Sequence, residues 1–280
     1  MKTDEFKEIR YEKDAQGVVT LTLNVPKRKN AMSRYTFYEL FWAIDALEKD
    51  ETAYVMIMTG AKDPDISDPA KEAFSSGGYF HPSAMDGVSD EIKAQIDNTD
   101  IAQAKLTMKM WQCEKPIIFA LNGLAIGAGF TIMLSGSDLV YASEHAWASI
   151  PFISLGIVPE LASTFLLPRL VGFHRAKEIM YFGERMPAQK LYEMGLVNKV
   201  LPHDQLMPYV REIASKLAPP KGAPCALRLT KRALHGPMIE AMKTALAKEN
   251  EGLNTAYKTE DMKEAMTAMR EKRKPSFKGK

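Results

Sequence analysis

Cysteine is scarce in this sequence, and that scarcity excludes two classes of protein. The 280 residues include only Cys113 and Cys225, and neither has a cysteine or histidine nearby at the spacing of a metal site. We therefore expect neither a disulfide framework nor a zinc site, and a reducing, cytoplasmic location fits. The formal net charge is only +2, which gives no reason to expect nucleic acid or an anionic membrane as a partner.

Long apolar runs are also absent. The longest run, GLAIGAGFTIML, is interrupted by glycine and stops well short of the roughly 20 residues that a membrane span needs. The first residues, MKTDEFKEIRYEKD, are charged and contain no apolar stretch, so we expect no secretory signal there. The final residues, KPSFKGK, match no peroxisomal or retention address.

Composition and length leave room for a sizeable core. The chain is 46% hydrophobic and 26% charged, which is ordinary for a globular protein of one large or about two smaller domains. Strand and helix patterns alternate up to about residue 200, and helical patterns follow alone. We therefore predict an α/β fold, with a core at residues 1–201 that carries the site and a helical C-terminal region at residues 202–280.

Local patterns predict the main elements of this core. A hairpin is expected around Gly17, because Val, Leu and Thr alternate after it, and Ser33 is a suitable cap for a helix that continues to Lys49. Continuous apolar runs are typical of strands buried on both faces, and we predict such strands at residues 53–60, 115–123 and 138–143. Helical periodicity predicts helices at residues 160–171, 173–183 and 187–194.

Two glycine-rich corners follow buried strands. They are AFSSGGYF (73–80) and AIGAGF (125–130). Small residues let a backbone approach a ligand closely, and two converging N–H groups would form an oxyanion hole for a carbonyl oxygen that gains charge. The alternative is that both corners are merely tight turns between strand and helix. Neither corner has the spacing of a dinucleotide-binding fingerprint or a Walker phosphate loop.

The ordered set of motifs resembles the crotonase superfamily, also called enoyl-CoA hydratase/isomerase. The set runs from AFSSGG through KPIIFALNGLAIGAG, SDLVYAS, SLGIVPE and LPRLVG to AMTAMREKRKPSFKGK, and the resemblance extends from about residue 8 to residue 278. It implies a spiral of ββα units with a C-terminal helical trimerisation region. It also implies acyl-CoA substrates, a homotrimer or hexamer, no metal, and no cofactor beyond the coenzyme A of the substrate.

The same resemblance implies where coenzyme A binds. The loop NVPKRKNAMS (24–33) is similar to the CoA-binding loop of the family, which would place Lys27 and Arg28 near the phosphates and Ser76 near the adenine. A partner subunit would add Tyr257 and Lys274. The alternative for these basic residues is a solvated surface.

The resemblance further implies that the N–H groups of Gly78 and Ala128 form the oxyanion hole. Hydratases of the family hold a water molecule between two glutamates, and the corresponding positions here are Thr131 and Phe152. A shift of the first position by one residue finds no carboxylate either. What remains is Glu160 in LGIVPE, which matches the catalytic carboxylate of Δ3,Δ2-enoyl-CoA isomerases. Halobenzoyl-CoA dehalogenases place an aspartate nucleophile at that position.

Glu160 therefore predicts isomerisation, which needs one carboxylate that removes a proton from C2 and returns it at C4. Its apolar neighbours would raise its pKa and make it a stronger base. Alternatively, Glu160 is an ordinary first-turn residue of a helix after Pro159. The rival functions are hydration, dehalogenation or thioester hydrolysis, and acyl-CoA binding without catalysis. Weaker site candidates are His81, Asp86, Asp138, Glu144, His145 and His174.

Overall fold

The structure, a computed structural model, describes residues 1–280 except for the side chain of Pro82. The strands are β1 (Ile9–Lys13), β2 (Val18–Leu23), β3 (Val55–Gly60), β4 (Ala73–Ser75), β5 (Ile117–Leu121), β6 (Leu124–Ile126), β7 (Leu139–Ser143), β8 (Trp147–Ser149), β9 (Met186–Pro187) and β10 (Lys199–Leu201).

The α-helices are also numbered in chain order. They are α1 (Arg34–Lys49), α2 (Asp90–Gln95), α3 (Ala104–Gln112), α4 (Ala128–Gly136), α5 (Ser163–Val171), α6 (Phe173–Phe182), α7 (Ala188–Glu193), α8 (His203–Leu217), α9 (Pro224–His235), α10 (Ile239–Ala256) and α11 (Glu260–Glu271). Among the described helices, none combines the length and the apolar character that a bilayer crossing requires.

The larger sheet has the strand order β1-β2-β3-β5-β7-β10. β1 and β2 form the antiparallel hairpin predicted around Gly17, and the remaining neighbours are parallel. Val55 and Ile57 of β3 belong to the apolar cluster that α8 covers, whereas Met56 and Met58 belong to the larger cluster on the opposite face. β3 is thus buried on both faces, as its continuous apolar run predicts.

A smaller sheet has the order β4-β6-β8-β9. β4, β6 and β8 are parallel neighbours, so their carboxyl ends lie along one edge. The first glycine corner follows β4, the second follows β6, and the segment that leads to Glu160 follows β8. Ligand sites of parallel sheets commonly lie beyond such carboxyl ends, and this small sheet therefore brings the predicted site residues to one place.

The first residues of α1 and α5 can be compared with those predicted from the sequence. Ser33 caps α1 as expected, because its side chain accepts a hydrogen bond from the N–H of Thr36. The helix predicted to start at residue 160 begins only at Ser163, so the expectation that Glu160 is a first-turn residue is wrong. Leu161 and Ala162 both have φ of 57°, which is outside the helical region and delays the helix.

The C-terminal helices pack back onto the core. α8 covers one face of the larger sheet, and α10 packs on α3 and α5 through Met242 and Leu246. α11 lies against the segment before Glu160, since a Cβ built on Gly156 would be 3.1 Å from the nitrogen of Met262. The helical C-terminal region therefore forms part of the walls around the Glu160 segment.

Candidate active site

The two glycine corners meet because their strands are parallel neighbours. Gly77 has φ of 97° and Gly127 has φ of 53°, conformations that favour glycine. A Cβ built on Gly77 would lie 2.6 Å from the carbonyl oxygen of Ile126, closer than real Cβ atoms approach. The first corner thus rests directly against the second, and only glycine fits at the point of contact.

The first corner is held in place by the segment before α1. The N–H of Ser76 donates to the carbonyl of Lys29, and the N–H of Met32 donates to the carbonyl of Gly77. The N–H of Tyr79 donates in turn to the carbonyl of Met32. These bonds fix the backbone on both sides of Gly78.

Two backbone N–H groups in the described part of the chain are without a protein acceptor where the two glycine corners meet. Within the described residues, the N–H groups of Gly78 and Ala128 donate to no protein acceptor. Ala128 is the first residue of α4, where an N–H has no partner inside the helix. The two donors predicted to form an oxyanion hole are therefore available, and that they hold a carbonyl oxygen stays a prediction.

A cavity of about 330 Å³ opens beside the first corner. Gly78, Glu160 and Tyr257 line it, from three separate parts of the chain. Its apolar wall is formed by Met32, Phe37, Phe80, Ala84, Met85 and Ile101. Glu160 is the one carboxylate among the described residues that line the cavity. A cavity with mostly apolar walls and few polar groups is typical of a small-molecule site.

Glu160 has an unusual setting for a carboxyl group. The residue retains part of its surface at the cavity wall, while the surrounding protein excludes most water from its carboxyl. Burial raises the pKa of the Glu160 carboxyl to about 8, and the nearby Glu249 carboxylate adds to the shift. A carboxyl with a pKa close to neutrality is better matched to proton transfer than an ordinary exposed one.

Thr131 and Phe152 occupy the positions where the resemblance places the glutamates of hydratases. Thr131 is fully buried, and its hydroxyl donates to the carbonyl of Gly127 at 3.3 Å. Phe152 is also buried, and its ring lies 3.7 Å from a Cβ built on Gly127. The second corner therefore has an aromatic ring and a hydroxyl already hydrogen-bonded to the backbone at the positions where hydratases of the family carry glutamates.

Tyr257 was predicted to reach the CoA of a partner subunit, and the structure places it in the cavity of its own chain. Burial raises the pKa of the Tyr257 phenol, and the Glu160 carboxylate raises it further. A role toward a partner stays a prediction. Sequence reasoning did not find Arg34 and Gln103, which also line the cavity, because no motif distinguishes them from surface residues.

A second cavity of about 200 Å³ adjoins the first. Arg34, Phe37 and Gln103 line both cavities. The second cavity lies between α1, α3 and the chain that precedes α3, and it has an aromatic wall of Phe37, Tyr38, Phe41 and Trp42. The shared residues make it a lateral extension of the space beside Glu160.

The residues predicted to bind CoA near the first corner lie together. The hydroxyl of Ser76 donates to the carbonyl of Arg28 at 3.3 Å. Arg28 pairs with Glu8 at 2.7 Å and lies over the ring of Tyr79, 4.4 Å from its centroid. Lys27 pairs with Asp63 at 2.9 Å and also with Asp65. Both cations therefore have protein partners, and their binding of CoA stays a prediction.

The other predicted residues lie apart from the cavity, with one exception. Lys274 is exposed in the tail after α11. The exception is His81, which lines the cavity, and its ring stacks on Tyr79 at 5.8 Å between centroids. Asp138 is structural, since it accepts from the N–H of Ile117 and pairs with Lys231 at 2.6 Å. Residues outside the cavity lining are Asp86, Glu144, His145 and His174.

A metal site finds no support in the part of the chain that the structure describes. Those residues contain no group of three or more His, Cys, Asp or Glu side chains placed to hold an ion. The groups that line the cavity include one carboxyl group, that of Glu160, the backbone of Gly78 and the polar side chains of Arg34, His81 and Gln103.

Over nearly its whole length the chain is similar to proteins of one family. Residues 13–280 match the family model for enoyl-CoA hydratase/isomerase. The short-chain-enoyl-CoA hydratase of Clostridium acetobutylicum is 34% identical over 271 residues, which are 96% of this chain and 97% of that protein. The 1,2-epoxyphenylacetyl-CoA isomerase of Escherichia coli is 29% identical over 269 residues, 95% of this chain and 96% of that protein.

Solved structures agree with this similarity. The crystal structure of an enoyl-CoA hydratase/isomerase from Pseudoalteromonas atlantica superposes with a TM-score of 0.82 at 28% identity, and the match covers 97% of this chain and 100% of that one. The predicted α/β crotonase fold with a helical C-terminal region is confirmed.

Proposed function

The chain belongs to the enoyl-CoA hydratase/isomerase family, and on that premise we propose that it shifts the double bond of an enoyl-CoA thioester from C3 to C2. The family makes it an enzyme of the crotonase superfamily. One observation carries the finer proposal: Glu160 is the one carboxylate among the described residues that line the cavity. Isomerisation needs one group that removes and returns a proton, whereas the hydratases that the sequence resembles use two glutamates.

The thioester carbonyl binds between the N–H groups of Gly78 and Ala128. These donors stabilise the negative charge that develops on the oxygen when C2 loses a proton. One such donor typically contributes about 2.7–4 kcal/mol to lowering the barrier. The contact between the glycine corners supports this step, because Gly78 follows β4 and Ala128 follows β6, and the close packing of the two corners holds both donors in place.

Glu160 removes the proton from C2, and the electron pair moves into a dienolate whose charge the two donors share. The protonated Glu160 then gives the same proton to C4, and the double bond lies between C2 and C3, conjugated with the thioester. A pKa of about 8 suits both halves of this cycle, because the group is a fair base when ionised and a fair acid once protonated.

Water must be kept from the intermediate. The buried Phe152 and Thr131 stand near the second corner, and the cavity wall around the acyl group is mostly apolar. Exclusion of water also strengthens the hydrogen bonds to the developing charge. These features support isomerisation over addition of water.

Coenzyme A is part of the proposed substrate, and we expect no other cofactor. Ser76 belongs to the first corner and donates to the carbonyl of Arg28, and Lys27 precedes Arg28 in the chain; these three residues are the proposed contacts to the nucleotide end of coenzyme A. A homotrimer, or a hexamer of two trimers, is the proposed assembly. Exposed apolar side chains on and near α5 and α6 support it, namely Leu170, Phe173, Tyr181 and Phe182.

Hydration is the second candidate, and the similarity to the Clostridium acetobutylicum hydratase favours it. In that case a water molecule would add across a 2-enoyl thioester with Glu160 as the acid or base. Oxygen-18 from the solvent would enter the product of hydration or of thioester hydrolysis, whereas isomerisation incorporates none.

The deciding experiment supplies 3-enoyl-CoA thioesters and follows the absorbance of the conjugated 2-enoyl product. The wild type and Glu160→Gln are compared with Glu144→Gln, which removes an exposed carboxylate outside the cavity. The proposal expects turnover by the wild type and the control, and a loss of at least about 100-fold in Glu160→Gln. Equal activity of all three proteins overturns the role of Glu160, and binding of CoA esters without turnover favours a binding protein.

A further inference from the structure

Glu249 is a buried carboxylate that lies close to the proposed base without lining the cavity. It belongs to α10 and is only 3% exposed. Its carboxylate accepts hydrogen bonds from the N–H of Ala162 at 2.8 Å, the N–H of Thr164 at 2.9 Å and the hydroxyl of Thr164 at 2.6 Å. All three donors lie within four residues of Glu160.

These bonds replace a helix cap that the local sequence lacks. α5 has Ala162 at its N-cap, and no side chain of the segment itself caps the helix. An N-terminus without a cap has unsatisfied N–H groups and favours a nearby negative charge. Glu249 supplies both the acceptor and the charge from a different helix, and it thereby fixes where α5 begins.

The backbone between Glu160 and α5 also needs an external restraint. Leu161 and Ala162 both have φ of 57°, a conformation that costs energy for residues other than glycine and persists only where the surroundings enforce it. Glu249 binds the second of these residues directly. Loss of that bond would let the backbone relax and would move the carboxyl group of Glu160.

The neighbouring residue, Asn250, restrains a second segment of the cavity wall. Its side-chain oxygen accepts from the N–H groups of Ile101 and Ala102 at 2.9 and 3.2 Å, and Ile101 lines the cavity. The N–H of Leu161 donates to the carbonyl of Ala102 at 3.2 Å, which joins the two walls. Consecutive residues of α10 therefore hold the two chain segments that meet beside Glu160.

We propose that Glu249 is a positioning residue for Glu160: it fixes the Glu160 backbone through Ala162 and Thr164 and places a second negative charge behind the base. This inference rests on the proposed function only in taking Glu160 as the base. The geometry gives the two effects different readouts. The hydrogen bonds set the orientation of Glu160 and hence kcat, and the charge sets the pH at which Glu160 titrates.

Other ionisable groups near Glu160 come from separate elements. Arg34 of α1, His81 after the first corner and Tyr257 at the end of α10 line the same cavity. Tyr79 of the first corner is the remaining titratable group among the described residues of that lining. None of them is altered when Glu249 is substituted. A shift in the titration of Glu160 on that substitution therefore combines the lost charge of Glu249 with any movement of the Glu160 carboxyl, and Asn250→Ala, which loosens the wall and keeps the charge, gives the size of the second effect.

The test measures protonation of Glu160 directly, by infrared spectroscopy of the full-length protein between pH 5 and 10. The carboxyl band of Glu160 is identified by its loss in Glu160→Gln. In Glu249→Gln the titration midpoint should fall by about one pH unit. In Asn250→Ala the midpoint should stay unchanged while kcat falls, because the charge remains and the wall loosens. Glu251→Gln, an exposed neighbour on α10, should change neither quantity.

Kinetics separate positioning from simple damage. Glu249→Gln keeps one oxygen that can accept from Ala162 or Thr164, and it should retain more kcat at pH 9 than Glu249→Ala, with KM little changed in both. Thermal denaturation identifies variants that fail to fold. If Glu249→Ala does not fold, the comparison of Glu249→Gln with the wild type provides the result. A wild-type midpoint and wild-type kcat in folded Glu249→Gln overturn the proposal. Because the infrared titration needs no turnover, it remains decisive even if the protein is not an isomerase.

Discussion

Gly77 and Ala128 stand at the contact between the two glycine corners: a Cβ built on Gly77 would lie 3.4 Å from the amide nitrogen of Ala128. The same Cβ would come within 2.6 Å of the carbonyl oxygen of Ile126. Any side chain at position 77 must therefore push the second corner away from the first. The distance between the two proposed oxyanion donors, the N–H groups of Gly78 and Ala128, therefore depends on the absence of a side chain at Gly77.

Gly77→Ala should consequently weaken the oxyanion hole. We expect kcat to fall by about 100-fold or more, while KM changes much less, because the loss concerns charge that develops only in the transition state. Gly195→Ala is the matched control, since Gly195 also has a positive φ, of 74°, but a Cβ there would meet nothing within 4 Å. Steady-state kinetics of both variants check the prediction, and an equal loss in both would attribute the effect to backbone strain.

The pH dependence of the reaction should report the raised pKa of Glu160. A base must be ionised to remove a proton, so kcat/KM should rise with pH and level off above about 8, the value to which burial raises the pKa. An ordinary exposed glutamate would give a plateau above about pH 5. Initial rates between pH 5 and 10, with thioester integrity measured in parallel, distinguish the two profiles.

The free energy of unfolding should also depend on pH because the pKa of Glu160 is raised. Activity gains as pH rises, whereas stability is lost. The folded protein binds the Glu160 proton more tightly than the unfolded chain, so this stability contribution is present below about pH 4.5 and is lost as pH rises toward 8. Glu160→Gln removes the titration, and its free energy of unfolding should exceed that of the wild type by a few kcal/mol more at pH 8.5 than at pH 4.5. Chemical denaturation at the two pH values measures the difference, and a pH-independent difference contradicts a buried, protonated Glu160.

The features that depend on local pattern were predictable from the sequence. The cap by Ser33, the hairpin around Gly17 and the buried strands each follow from residues within a few positions. The two glycine corners were also visible, although their contact was not. That contact depends on β4 and β6, which have three residues each and are too short to show a period.

The start of α5 could not be predicted, because it depends on a residue far along the chain. Glu249 lies 87 positions from Ala162, and the apolar run around residue 160 has ordinary helical periodicity. The place of Tyr257 in the cavity of its own chain could not be predicted for the same reason. Only the packing of α10 against α5 brings either side chain to the neighbourhood of Glu160.

The second cavity should determine which acyl groups the enzyme accepts. Its aromatic wall adjoins the space beside Glu160, and each buried CH₂ group contributes about 0.8 kcal/mol to binding. Trp42→Ala should enlarge it and raise the ratio of kcat/KM for long over short enoyl chains severalfold. Phe37→Trp, at the junction, should lower that ratio. Tyr192→Ala, an exposed aromatic residue on α7, should leave it unchanged, and an unchanged ratio in all three variants would exclude this cavity from acyl binding.

Tyr257 should act in the chain to which it belongs, because it lines the same cavity as Glu160 of that chain. Tyr257→Ala should lower activity by opening the cavity wall beside the base to water. Mixed assemblies of Tyr257→Ala and Glu160→Gln chains, refolded or expressed together, distinguish the two possible origins of the tyrosine. If a neighbouring chain supplied Tyr257, some sites in the mixture would combine an intact Glu160 with an intact Tyr257, and activity would rise above that of either variant. The geometry predicts no such recovery, since each chain carries one defect in its own cavity.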